Sequence, residues 1–135
     1  MYEYKAKILS VYDGDGVYDA QVDMGMNLFQ RKDIRLYGVD TPEMRGEQRE
    51  AGIVVRDFVR ELILNEDVVI HTYHDKTGKY GRLLADIHII SDDGLDYKDL
   101  SDILLEKGYA KVYTGGKKLE WDDTEIDKII FGEVQ

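Results

Sequence analysis

The sequence predicts an α+β fold: a five-stranded β-barrel of the OB type with about three accessory α-helices. Three observations carry this reading. Three alternating, Tyr/Val/Ile-rich runs near the start are joined by short Gly-containing turns, which is the pattern of an antiparallel meander. A segment of helical periodicity follows them, and then two more strand-like runs. About five short strands with a helix inserted after the third is how an OB-type barrel looks in sequence.

The first strand is expected over Tyr2 to Tyr12, the second over Val17 to Met24 and the third over Phe29 to Tyr37, with Phe29, Ile34 and Leu36 in the core. "DGDG" and "MGMN" supply the turns between them. After the loop "GVDTPEMRGE", which holds the one proline, helical spacing begins at Glu47 and places Ala51, Val55, Phe58, Val59 and Leu62 on one face. Gly52 interrupts this helix at a cost of about 1 kcal/mol relative to alanine, and Asn65 ends it. Strands are expected over Val68 to Tyr73 and Arg82 to Ile90, around the loop "HDKTGKYG". "SDDG" is a turn, Ser101 is the expected N-cap of a short helix through Lys107, and Gly108 closes it. "YAKVYTGG" reads as extended, then turning, and Trp121, Ile126, Ile129 and Ile130 form the apolar side of a final helix. With 135 residues and no repeat or linker, one domain spanning 1–135 is expected.

The chain has no cysteine, which removes disulfides, thiolate metal sites and cysteine nucleophiles. No apolar run approaches membrane-spanning length and the opening "MYEYKAKILS" has no signal-peptide pattern, so a soluble, cytoplasmic monomer without membrane contact is expected. The net charge of -10 opposes casual binding to phosphates. The basic residues nevertheless gather in "FQRKDIR", "MRGEQR", "DKTGKYGR" and "GGKK", so a basic face can exist on an acidic protein.

Four stretches hold residues suited to chemistry. "VYDGDGVYDA" is a hairpin signal in which Asp13 and Asp15 lie beside a bend. It is not an EF-hand loop, because from Asp13 the fifth position is Val17 and the glycine position is Tyr18. "IRLYGVDTPEMR" places Asp40, Thr41 and Glu43 directly after an apolar strand. Arg35 lies between Ile34 and Leu36, so alternation turns it to the opposite face. In "KTGKYGRLLADI", Lys79 and Arg82 flank Tyr80-Gly81 at a strand entry. Asp15, Asp40, Glu43, Arg35 and Arg82 together suit hydrolysis of a phosphodiester. Two carboxylates and a backbone carbonyl can hold a hard cation, a third carboxylate can orient or deprotonate water, and two guanidiniums can stabilise the charge of the transition state. His71 and His74, three apart in or near a strand, should face opposite ways. With His88 they are expected as surface or core imidazoles rather than ligands of a shared transition metal.

These motifs, in order, resemble the staphylococcal nuclease (thermonuclease) family from about Ile8 to Val112. "VYDGDG" is similar to its "DGDT" turn, "IRLYGVDTPE" to "RLxxVDTPE", "GKYGRLLA" to "KYGRxLA" and "LLEKGYAKV" to "LVxxGLAxV". The resemblance implies an OB barrel and calcium-dependent cleavage of DNA and RNA that expels the 5′-oxygen and leaves 3′-phosphate ends; with nothing in the sequence suggesting a helix that reads base edges, cleavage with little sequence specificity, of single-stranded or flexible nucleic acid, is expected. Mg2+ or Mn2+ are alternatives to the single calcium ion. By position, Asp15 and Asp40 match the metal carboxylates and Thr41 the residue whose carbonyl joins them. Glu43 matches the general base, Arg35 and Arg82 the phosphate-clamping arginines, and Lys79 and Tyr80 residues along the substrate phosphates. Tyr113 is what remains, shifted by about one position, of a tyrosine pair beside the base. Gly16 replaces the family's usual threonine, and the lysine-rich loop after "DTPE" is shortened to "MRGEQRE". A binding module of nuclease ancestry that does not cut is the alternative expectation.

Overall fold

The structure, a computed structural model, describes residues 2–14, 18–77, 82–113 and 120–132, with the side chains of 74–77 excepted. Its strands are β1 (Tyr2–Val11), β2 (Tyr18–Asp23), β3 (Phe29–Leu36), β4 (Val39–Asp40), β5 (Asp67–Thr77), β6 (Leu83–Ile90), β7 (Tyr97–Asp99) and β8 (Lys111–Val112). The helices are α1 (Arg49–Ile63), α2 (Leu100–Glu106) and α3 (Asp123–Phe131), and a 3-10 turn, Gly46–Gln48, leads into α1.

The main sheet runs β3-β2-β1-β5-β6-β7, and a β3–β6 pairing closes its first five strands into a barrel. All pairings around the barrel are antiparallel except this closure, where β3 and β6 run parallel. The expected α+β OB barrel with three helices is therefore the observed fold. Alternation explains the core: β2 buries Tyr18, Ala20 and Val22 and turns Asp19, Gln21 and Asp23 outward. Ile8, Ile34, Leu36, Ile70 and Ile87 fill the interior from the other strands, each contributing about 1.5–3 kcal/mol by burial. Helix α1 adds Ala51, Val55, Val59 and Ile63 from one face.

Several boundaries differ from the sequence reading. Phe29 is 56% exposed rather than in the core, because it opens β3 beyond the region where the barrel closes. Ser101 is inside α2; Asp99 is the N-cap, its carboxylate accepting from the Ser101 backbone N–H at 2.8 Å. A carboxylate satisfies that orphan donor and also meets the positive end of the helix. Trp121 precedes α3, which begins with a reciprocal capping box between Asp122 and Glu125. The short strands β4 and β7 carry too few residues for a periodic signal. Asn65 ends α1 as expected, at φ 61°, and Gly108 follows α2 at φ 75°. Among the described residues no helix is long and apolar enough to cross a membrane.

Candidate functional site

The parallel closure of the barrel organises the arginines. Ile34 pairs with Leu83, Arg35 with Leu84 and Leu36 with Ala85. Ile34 and Leu36 are buried, while Arg35 is half-buried on the outer face, as alternation requires. Leu84 shares the face of Arg35, and alternation carried back from Leu84 puts Arg82, also half-buried, on that face. Residues 47 positions apart in the chain thus come to adjacent strands, near the end of β3. Arg35 Nη1 also donates to the Leu36 carbonyl at 3.4 Å.

The chain leaves β3 through Tyr37 and Gly38, whose φ of 85° suits glycine, and enters β4. Antiparallel pairing sets Val39 against Val112 and Asp40 against Lys111. Tyr113 continues this pairing, its N–H donating to the Gly38 carbonyl at 2.8 Å. Asp40 and Thr41 are 5% and 3% exposed, deep burial for a carboxylate at the end of a two-residue strand.

Two glycines bring the remaining pieces to this point. A Cβ on Gly14 would lie 2.9 Å from Thr41 Oγ1 and 2.6 Å from Val55 Cγ1. Gly14 therefore seats directly on Thr41 and α1. Tyr18, fully buried, donates its hydroxyl to the Gly14 carbonyl and locks the turn from within the barrel. Arg60 on α1 holds the Val11 carbonyl at the end of β1 through Nε and Nη2, at 3.1 and 3.0 Å. Asp15 itself, with Lys79 and Tyr80, lies outside the described residues. The second glycine is Gly52, whose Cβ would stand 2.4 Å from the Glu43 carbonyl oxygen. Gly52 is thus not merely a tolerated defect of α1 but the point where the helix backs onto the "DTPE" loop.

Glu43 is exposed; its Oε2 accepts from Arg45 Nε at 3.2 Å and its backbone N–H donates to Gln48 at 2.9 Å. Exposed pairs of this kind contribute about 0–1 kcal/mol, so the Glu43 carboxylate can exchange Arg45 for another partner at little cost. Beside it lies a groove of about 490 Å3 lined by Glu43, Arg45, Gln48, Trp121, Asp123 and Ile126, among others. The described residues lining it do not include Arg35, Asp40 or Arg82.

Sequence reasoning missed the supporting residues Gly14, Gly52, Arg60 and Lys111. Lys111 Nζ bridges the Glu120 carbonyl at 2.7 Å and Glu125 Oε1 at 2.8 Å, and lies 4.8 Å from the centre of the Trp121 ring. It ties the strand beside Asp40 to the start of α3. The Glu125 carboxyl is held below its ordinary range, first by the Asp122 backbone N–H and then by Lys111. A group so depressed stabilises the fold above its unfolded range and loses that contribution as pH falls through its folded pKa. Lys111→Met is therefore expected to lower the melting temperature at neutral pH, and the difference from wild type should shrink in acid. A difference that stays constant with pH would assign the loss to packing on Trp121 instead.

A family model described as staphylococcal nuclease homologue matches residues 33–129. Among curated proteins, no match to the chain is found. The matched span covers well over half the chain and includes Arg35, the Asp40–Glu43 loop, Arg82 and the β4–β8 pairing, on a closed barrel with three helices. The chain belongs to the staphylococcal nuclease homologue family.

Proposed function

We propose that this protein is a metal-dependent phosphodiesterase that cleaves DNA and RNA, single strands included, with little sequence preference. The observation that supports the reading is the parallel β3–β6 register, which sets Arg35 beside the strand that follows Arg82, at the end of β3 that leads to buried Asp40. Guanidiniums and carboxylates are the groups that stabilise charge as it develops on a phosphodiester.

The donor set fits a hard cation. Gly14 leaves room for the turn to reach Thr41, and Asp40 offers a buried carboxylate next to the Thr41 carbonyl. With Asp15 these supply only oxygen, as calcium prefers. Asp15, Asp40 and Thr41 would hold the ion. When bound, the cation polarises a phosphoryl oxygen and offsets charge as it develops. Arg35 and Arg82 donate to the equatorial phosphoryl oxygens, more strongly as those oxygens gain charge. Glu43 accepts a proton from the attacking water, whose oxygen bonds to phosphorus as the bond to the 5′-oxygen breaks. The leaving oxygen takes up a proton, and the other strand end keeps a 3′-phosphate. Lys79 and Tyr80 contact flanking phosphates, and Tyr113 packs beside the base. Nothing in the sequence suggests a helix that reads base edges, consistent with low sequence preference.

The test is cleavage of labelled single-stranded DNA and RNA with calcium or with chelator, followed by end-group analysis. Cleavage with calcium to 3′-phosphate ends, abolished by chelation, is expected. Cleavage that survives chelation, or ends of the opposite polarity, would overturn the mechanism. A second reading, a binding module that does not cut, is favoured by the net charge of -10. Binding of the same oligonucleotides without cleavage under any of calcium, magnesium or manganese would establish it.

A further inference from the structure

A second group of potential ligands lies outside the residues discussed above. Asp86 and His88 point outward from β6, two positions apart, and β7 pairs with β6 so that Asp99 stands opposite His88. One ligand atom from each of Asp86, His88 and Asp99 lies within 4.8 Å of the others, and all three side chains are half-buried. Among the described residues no hydrogen bond or ion pair joins the three to one another.

Each is instead aimed by a neighbour on its far side. The Tyr73 hydroxyl donates to Asp86 Oδ2 at 2.6 Å. The Ser101 N–H occupies Asp99 Oδ1 at 2.8 Å, leaving Oδ2. The His88 ring packs on His71, with ring centres 4.2 Å apart, and His71 is fixed in turn by Glu3 at 2.8 Å. Ligands oriented by outer partners in this way are the usual surroundings of a metal, not of a chance surface cluster. We propose that Asp86, His88 and Asp99 form a second cation site, selective for a divalent transition ion such as zinc.

The donor chemistry sets the class. An imidazole with two carboxylates suits zinc and related first-row ions, whereas calcium and magnesium favour oxygen alone. Atoms each about 2.1 Å from one ion stand at most about 4.2 Å apart, so small side-chain rotations, under about 1 Å of travel, close the set. Because Asp99 also caps α2, a bound ion would staple the start of that helix to the barrel wall. The site shares no residue with the proposed nuclease centre and does not depend on that reading.

The test is calorimetric titration of the chelator-washed full chain with zinc chloride, with melting curves alongside and cobalt(II) absorption to report the ligands. One zinc ion should bind at this site and raise the melting temperature. His88→Gln and Asp99→Asn should each weaken it at least about tenfold, and Asp99→Asn keeps a competent N-cap, so circular dichroism should show both variants folded. Asp40→Asn should leave zinc binding intact, which separates this site from the other. No zinc binding by the wild type, binding unchanged in both variants, or equal competition by calcium would each overturn the proposal.

Discussion

Arg82→Ala is expected to lower the rate of phosphodiester cleavage by about a hundred- to a thousandfold with little change in melting temperature. The asymmetry follows from position. Arg82 is half-buried immediately before β6, and Ala85 and Ile87 are the residues that fill the barrel interior from that strand. Its proposed partner, the phosphoryl oxygen, carries most charge in the transition state, so the loss should fall on kcat more than on KM. Arg82→Lys should recover only part of the rate, because an ammonium cannot reproduce a two-pronged contact. The same reasoning applies to Arg35, and Glu43→Gln should also lose orders of magnitude, in its case through the proton it can no longer accept. Single-turnover kinetics on a labelled oligonucleotide, with melting curves as the control, would decide. Wild-type rates in Arg82→Ala would place the phosphate clamp elsewhere.

Gly52→Ala is expected to destabilise the protein even though it improves helix propensity. In an unconstrained helix interior the exchange would gain about 1 kcal/mol. Here the new methyl group would be 2.4 Å from the Glu43 carbonyl oxygen, 2.9 Å from its carbon and 3.1 Å from the Pro42 oxygen. All three are backbone atoms and cannot rotate away as a side chain could. Overpacking of this kind costs about 1–3 kcal/mol, enough to outweigh the propensity gain, and a net loss of about 1 kcal/mol should lower the melting temperature by about 4 °C. The "DTPE" loop is the softer partner, because α1 is anchored through Ala51, Val55, Val59 and Ile63. Glu43 should therefore move, and activity should fall further than stability does. A Gly52→Ala protein that melts above wild type would show that the loop yields without strain.

The residues that carry chemistry on each reading differ in how visible they are before folding. Asp40, Thr41 and Glu43 form a local motif, and alternation alone turns Arg35 away from Ile34 and Leu36, so these could be proposed from the chain. His88 could not be paired with anything: its neighbours Asp86 and Asp99 belong to a cross-strand register, and β7 is a three-residue strand without periodicity. A search for histidine spacing directs attention to His71 and His74, whereas the structure pairs His71 with His88 across β5 and β6. Gly52 was legible as a glycine in a helix, but its reason lies in a backbone contact with a loop nine residues earlier. Phe29 has core-like chemistry and still lies exposed, since exposure depends on where the barrel closes and not on the residue.

The sequence by itself determined the order of the five barrel strands and the three helices, the alternation of faces along most of those strands, and the motifs that match the nuclease homologues. Each of these depends on spacings of two to four residues, a range over which backbone geometry acts directly. Only the tertiary structure decided that β3 runs parallel to β6, bringing Arg35 beside the strand that Arg82 opens. It alone decided that Gly14 seats on Thr41 and that Asp86, His88 and Asp99 converge. Closing a barrel joins residues far apart in the chain through packing and register, and no local pattern records either.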